Sequence, residues 1–149
     1  KVPVITTEES PFEIGKAEIV WESEKPKVAI IACGQMVYRS LQAAKRLKEH
    51  NIGIRVINCH TIKPIDRDMI LKSAEYCGAI VTVEEHQVSG GLGSAVAEVV
   101  SQGFPVPMKI IGIADHFGES GEPDELLKKF GLTVEDIMKG VTTVIRMKS

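Results

Sequence analysis

Apolar residues along this chain switch repeatedly between a short, strand-like spacing and a helical one. Lys16 to Glu22 alternates partially, as a half-buried strand near a sheet edge does. Ser23 to Pro26 reads as a turn, and Lys27 to Cys33 is an almost unbroken apolar run, suited to a central parallel strand covered on both faces. Gly34 breaks that run. Val37, Leu41, Ala44 and Leu47 then carry a helical face to about residue 49. Gly53 precedes a third strand, Ile54 to Asn58, and the connection after it contains Pro64, which disfavours helix before it. Asp66 is placed to cap a helix with Ile70, Ala74 and Cys77 facing inward.

The second half repeats the alternation. The β-branched residues from Val81 predict a buried strand, and Leu92, Ala95, Val96, Val99 and Val100 predict a helix. Gly103 to Pro107 is a rigid turn, Met108 to Ile113 a fifth strand, and Ala114 to Gly121 a polar loop. Pro123, Asp124 and Glu125 suit a first helical turn, with Gly131 ending that helix. Thr133 caps a last helix that presents Ile137, Met138 and Val141 on one side. Strands alternating with helices imply a three-layer α/β fold with a mostly parallel, right-handed, doubly wound sheet. The first strand, joined to the second by a short turn, is expected to run antiparallel. Residues 1–11, interrupted by Pro3 and Pro11, read as an arm or interdomain linker, and residues 12–149 as the domain.

Ligands of such a sheet bind beyond the carboxyl ends of its strands. There the sequence places Cys33 and Gly34, then Asn58, Cys59 and His60, then Glu84, Glu85 and His86, then Asp115 and His116. Gly90, Gly91 and Gly93 follow the third of these groups and open a helix. A metal bound by His60, His86, Asp115 and His116 is the sharp reading, since imidazole and carboxylate suit zinc. The histidines are about 25 to 30 residues apart, with no short paired spacing, and ordinary hydrogen-bonded loop histidines are favoured. The glycines lack the full dinucleotide fingerprint and the phosphate-loop lysine. Glu84 and Glu85 just upstream would oppose an anion unless they point elsewhere, so close helix–sheet packing is the preferred role of these glycines. Glu84 and Glu85 face opposite sides of a strand and cannot form a carboxylate dyad. No serine nucleophile elbow is present, and one of Glu84 and Glu85, or else His86, is a general base in principle only. Catalytic, cofactor-binding and metal residues are therefore expected to be absent. A ligand or interface loop built from Gly34, His60, Glu85, His86, Gly90, Gly91, Gly93, Asp115 and His116 is the remaining candidate.

Composition adds exclusions. The chain has 149 residues, enough for one domain with a sizeable core, and its formal net charge of -2 offers no footprint for nucleic acid. No apolar run approaches the roughly 20 residues of a membrane span. Cys33, Cys59 and Cys77 sit in apolar surroundings, as reduced thiols of a cytoplasmic protein do.

Thr61 to Asp66, Val81 to His86 with Gly90 to Gly93, and Ser120 to Leu132 together resemble the C-terminal domain of transketolases. Their order and spacing match across nearly the whole chain, and Phe12 to Ala17 is similar to the start of that domain. Deoxyxylulose phosphate synthases and the β subunits of 2-oxo acid dehydrogenases share parts of the pattern and stand as alternative parents. A stand-alone small-ligand or effector-binding domain is a further alternative. The resemblance implies a five-stranded mixed sheet with its first strand antiparallel and the strand ending at Cys33 between those ending at Asn58 and Glu84. It also implies a larger enzyme, working as a homodimer, that uses thiamine diphosphate and magnesium to move two-carbon ketol units between sugar phosphates. The cofactor- and pyrimidine-binding domains of such an enzyme lie upstream, as further domains or as a separate subunit. This domain is expected to bind no cofactor and to support assembly or regulation.

Overall fold

A computed structural model of the chain describes residues 3–114 and 120–148. The elements run β1 (Glu18–Glu22), β2 (Val28–Ala32), α1 (Met36–Glu49), β3 (Ile54–Asn58), α2 (Arg67–Cys77), β4 (Ile80–Gln87), α3 (Leu92–Gly103), β5 (Met108–Ile113), α4 (Pro123–Lys129) and α5 (Val134–Met147). They build one five-stranded sheet in the order β1-β3-β2-β4-β5. β3, β2, β4 and β5 are mutually parallel, and β1 pairs antiparallel with β3. The mixed three-layer fold is therefore the one the hydrophobic pattern predicts.

β2 shows why the sheet is covered on both sides. All five of its residues are fully buried, and they alternate between two cores. Val28, Ile30 and Ala32 pack with α1, α4 and α5, whereas Ala29 and Ile31 pack with α2 and α3. The helices close on these layers with ordinary punctuation. Asp66 accepts the Met69 N–H at the start of α2, and Gly78, at φ +76°, ends that helix. At the end of α4 the Leu132 N–H bonds to Leu127 O and the Gly131 N–H to Lys128 O, with Gly131 at φ +68°. Thr133 and Asp136 form a reciprocal capping box on α5.

β1 begins at Glu18, two residues later than its alternation suggests. The Ala17 N–H donates instead to the Asp66 carboxylate at 2.9 Å, which ties the arm to the cap of α2. Because β1 is antiparallel, its first residue lies opposite Asn58, the last residue of β3. The chain thus enters the sheet at the edge where the parallel strands end.

Candidate functional site

The carboxyl edge is organised by β4, which outruns β2. Their pairing stops at Ala32 and Val83, and β4 continues to Gln87. Its register with β5 slips between Val83 and Gln87, and this freed stretch holds Glu84, Glu85 and His86. Gly112 permits the crowding, since a Cβ there would lie 2.9 Å from His86 O and 3.0 Å from Val88 Cγ1.

Alternation sends Glu84 inward and Glu85 outward. Glu84 is 1% exposed and reaches the N-terminus of α3, where its two oxygens accept the Leu92 N–H at 2.8 Å and the Gly93 N–H at 2.6 Å. Gly91, the N-cap residue, has no side chain that could do this. A helix N-terminus is an anion site through its orphan amides and dipole, and here the anion is the chain's own carboxylate. The glycines make room for it. A Cβ on Gly91 would overlap Glu84 Oε1, and one on Gly93 would stand 2.5 Å from Ile110 Cγ2 and 2.9 Å from Thr82 Oγ1. Gly93 thus has the packing role expected of it. The expected charge argument changes: Glu84 does not merely repel an external anion but occupies the place one would take.

The other candidates stay separate. His86 is exposed, its Nδ1–H donates to Gln87 O at 3.0 Å, and Nδ1 lies 4.0 Å from Glu84 Oε1. Glu85 is exposed on the opposite side of the strand from Glu84. Gly90, at φ +77°, turns the loop, and its N–H bonds to Ser94 Oγ, which donates in turn to Val88 O. Gly34, at φ +59°, turns the chain after β2, with open space beside it. His60 is half-buried, with Nδ1 3.0 Å from Thr61 Oγ1 and its ring stacked on Phe12. Asp115 and His116 lie outside the described residues. Among the described residues, no group of three or more histidine, cysteine or acidic side chains is gathered where a metal could sit. Of the general-base candidates, Glu84 has its carboxylate engaged by two amides in the core, and Glu85 and His86 lie in solvent.

The thiols are equally unsuited to nucleophilic work. Burial raises Cys59 to a pKa of about 11, with smaller contributions from Cys33 and Asp66. Burial also raises Cys77 to about 11. Cys33 is raised by burial first and by the Glu84 charge second. A raised pKa leaves little thiolate at neutral pH.

Two features escaped the sequence reading. One is Glu84 as the cap of α3, which a glycine at the N-cap and a carboxylate at the end of the preceding strand could have signalled. The other is the Phe12–His60 stack, which seats the arm on the β3–α2 loop and which no local pattern announces.

The fold and the site define a doubly wound α/β domain with an antiparallel first strand and with the helix after β4 capped by a carboxylate of that strand. The chain belongs to the family of transketolase C-terminal domains, whose family model (transketolase, C-terminal domain) matches residues 15–137. It is similar to a 6-deoxy-6-sulfo-D-fructose transketolase subunit of Clostridium sp. (strain MSTE9), at 43% identity over 145 residues, 97% of this chain and 44% of that protein. It is 44% identical over 141 residues to a 1-deoxy-D-xylulose-5-phosphate synthase of Trichormus variabilis, covering 94% of this chain and 22% of that one. A solved split-gene transketolase, described as an inactive β4 tetramer, superposes with a TM-score of 0.93 at 42% identity, over 99% of this chain and 48% of that one. The chain therefore spans less than half the length of these relatives.

Proposed function

We propose that the chain is the non-catalytic C-terminal part of a transketolase-type enzyme, and that its role is assembly or regulation. Such a parent uses thiamine diphosphate with magnesium to transfer two-carbon ketol units between sugar phosphates, and works as a cytoplasmic homodimer. The observation that carries the reading is the family match over residues 15–137 together with an anion site already filled by Glu84.

The residues present do not fit the cofactor. A magnesium diphosphate needs oxygen ligands for the metal and free donors for the phosphates. The described residues gather no such ligand set, and the amides of Leu92 and Gly93 are taken. Cofactor contacts belong in this reading to the upstream domains or to a partner subunit.

A deoxyxylulose phosphate synthase parent is the second reading, favoured by the 44% identity to the Trichormus variabilis enzyme. Assay of the full-length polypeptide, with its partner subunit where the gene is split, tests both. Ketol transfer between sugar phosphates is expected only when thiamine diphosphate and magnesium are supplied, and the 149-residue chain alone is expected to be inactive. Formation of deoxyxylulose phosphate from pyruvate and glyceraldehyde phosphate would select the second parent. Turnover by the chain alone would overturn both.

A further inference from the structure

The arm arrives at the carboxyl edge because β1 is antiparallel, and residues 12–17 settle there on the β3–α2 loop. Phe12 stacks on His60 with ring centroids 4.4 Å apart and planes at 29°. Gly15 lies against Pro64, and the Ala17 N–H is held by Asp66. This seat is built, yet it leaves apolar groups in water. Phe12 and Ile14 are each 71% exposed, and Ile62, on the same loop as His60, is 40% exposed. Large apolar side chains clustered around one anchored loop mark a contact surface more than chance exposure.

We propose that Phe12, Ile14 and Ile62, arranged around His60, form the docking surface for the rest of the same transketolase-type polypeptide. The proposal rests on the parent reading above. The relatives and the solved split-gene transketolase carry more than half of their length outside the matched region, and the match is to a C-terminal domain. In that reading the rest of the polypeptide lies upstream of this domain, on the side of the arm that bears Phe12 and Ile14. A domain tethered through the same polypeptide meets the patch at a raised effective concentration, so a modest apolar surface is enough. The three side chains are exposed, whereas a small-molecule site is concave and encloses its ligand. The face thus suits a protein surface.

Cysteine protection tests this. Phe12→Cys, Ile14→Cys and Ile62→Cys are made both in the 149-residue chain and in the full-length polypeptide. Phe104→Cys serves as control, since Phe104 is 42% exposed and follows α3 at the opposite edge of the sheet. Maleimide labelling is followed by mass spectrometry, with the unsubstituted protein as background. The three variants are expected to react at least about tenfold slower in the full-length protein than in the chain alone, and Phe104→Cys equally fast in both. Equal rates at all four positions, or protection of Phe104→Cys alone, would overturn the proposal. Ketol transfer is measured on the same unsubstituted full-length protein. Activity without protection removes the docking surface only, and protection without activity removes the ketol-transfer reading only.

Discussion

The N-termini of α2 and α3 face the same edge of the sheet and meet the same requirement by different means. Both have orphan amides, and both satisfy them with a carboxylate. At α2 the carboxylate is Asp66, the N-cap residue itself. One oxygen accepts the Met69 N–H at 3.1 Å and the other holds the Ala17 N–H of the arm. At α3 the N-cap is Gly91, and the carboxylate comes from Glu84 on the preceding strand, with both oxygens used on the helix. A local cap keeps one oxygen for another segment, so α2 anchors the arm. A remote cap inserted through glycines is committed wholly to the helix and closes the anion site there. The difference explains why the sheet edge offers a seat for chain at one loop and no phosphate site at the other.

Removing each carboxylate probes that contrast. Glu84→Ala leaves two buried amides of α3 without partners, and charge-assisted bonds of this kind contribute about 1.5–3 kcal/mol each. A loss of about 3 kcal/mol in urea denaturation is expected, with the vacated amides available to a small anion. Inorganic phosphate should then raise the melting temperature of Glu84→Ala and leave the unsubstituted chain unchanged. A loss below about 1 kcal/mol would mean that Glu84 does not hold α3.

Asp66→Ala removes a local cap and the arm's tether, and caps of this type are worth about 1–2 kcal/mol. The expected loss is therefore smaller, about 2 kcal/mol, with faster hydrogen exchange at Ala17 as the sign that the arm has loosened. No change in exchange at Ala17 would break the link between the α2 cap and the arm.

A further effect is expected in alkali, where the buried thiols titrate. The folded pKa of Cys59 and Cys77, about 11, lies above the ordinary value of 9.0. A thiol whose pKa is raised by folding contributes stability below its unfolded pKa, and the contribution disappears as pH rises through the folded one. Stability from this source should be constant below about pH 8 and decline between pH 9 and 11. Glu84 also raises Cys33, so Glu84→Gln should speed alkylation of Cys33 by iodoacetamide at pH 8.5. An unchanged rate would separate the thiol from the carboxylate.

Much of this fold is legible in sequence because its signals are local. β3 and β5 occupy the residues that their apolar runs and flanking Gly and Pro define, and Asp66, Gly131 and Thr133 punctuate helices within a few residues of themselves. β1 starts late because Ala17 is bonded to a residue far along the chain. The candidate site is less legible for the same reason. Three histidines at strand ends read as one edge, but β2 lies between β3 and β4, which sets His60 and His86 two strand spacings apart, about 9.5 Å laterally. Each ring instead finds a partner next to it in the chain. Glu84 looked like a repulsive neighbour of the glycines because sequence gives the face of a strand residue without giving what that face meets.

The occupied anion site at α3 is tested most directly by a nitrogen–proton correlation NMR titration of the 149-residue chain with magnesium and thiamine diphosphate. The amides of Leu92 and Gly93, bound to Glu84, are expected to keep their shifts at millimolar cofactor. Saturable movement of those two amides would contradict the self-filled site and return cofactor binding to this domain.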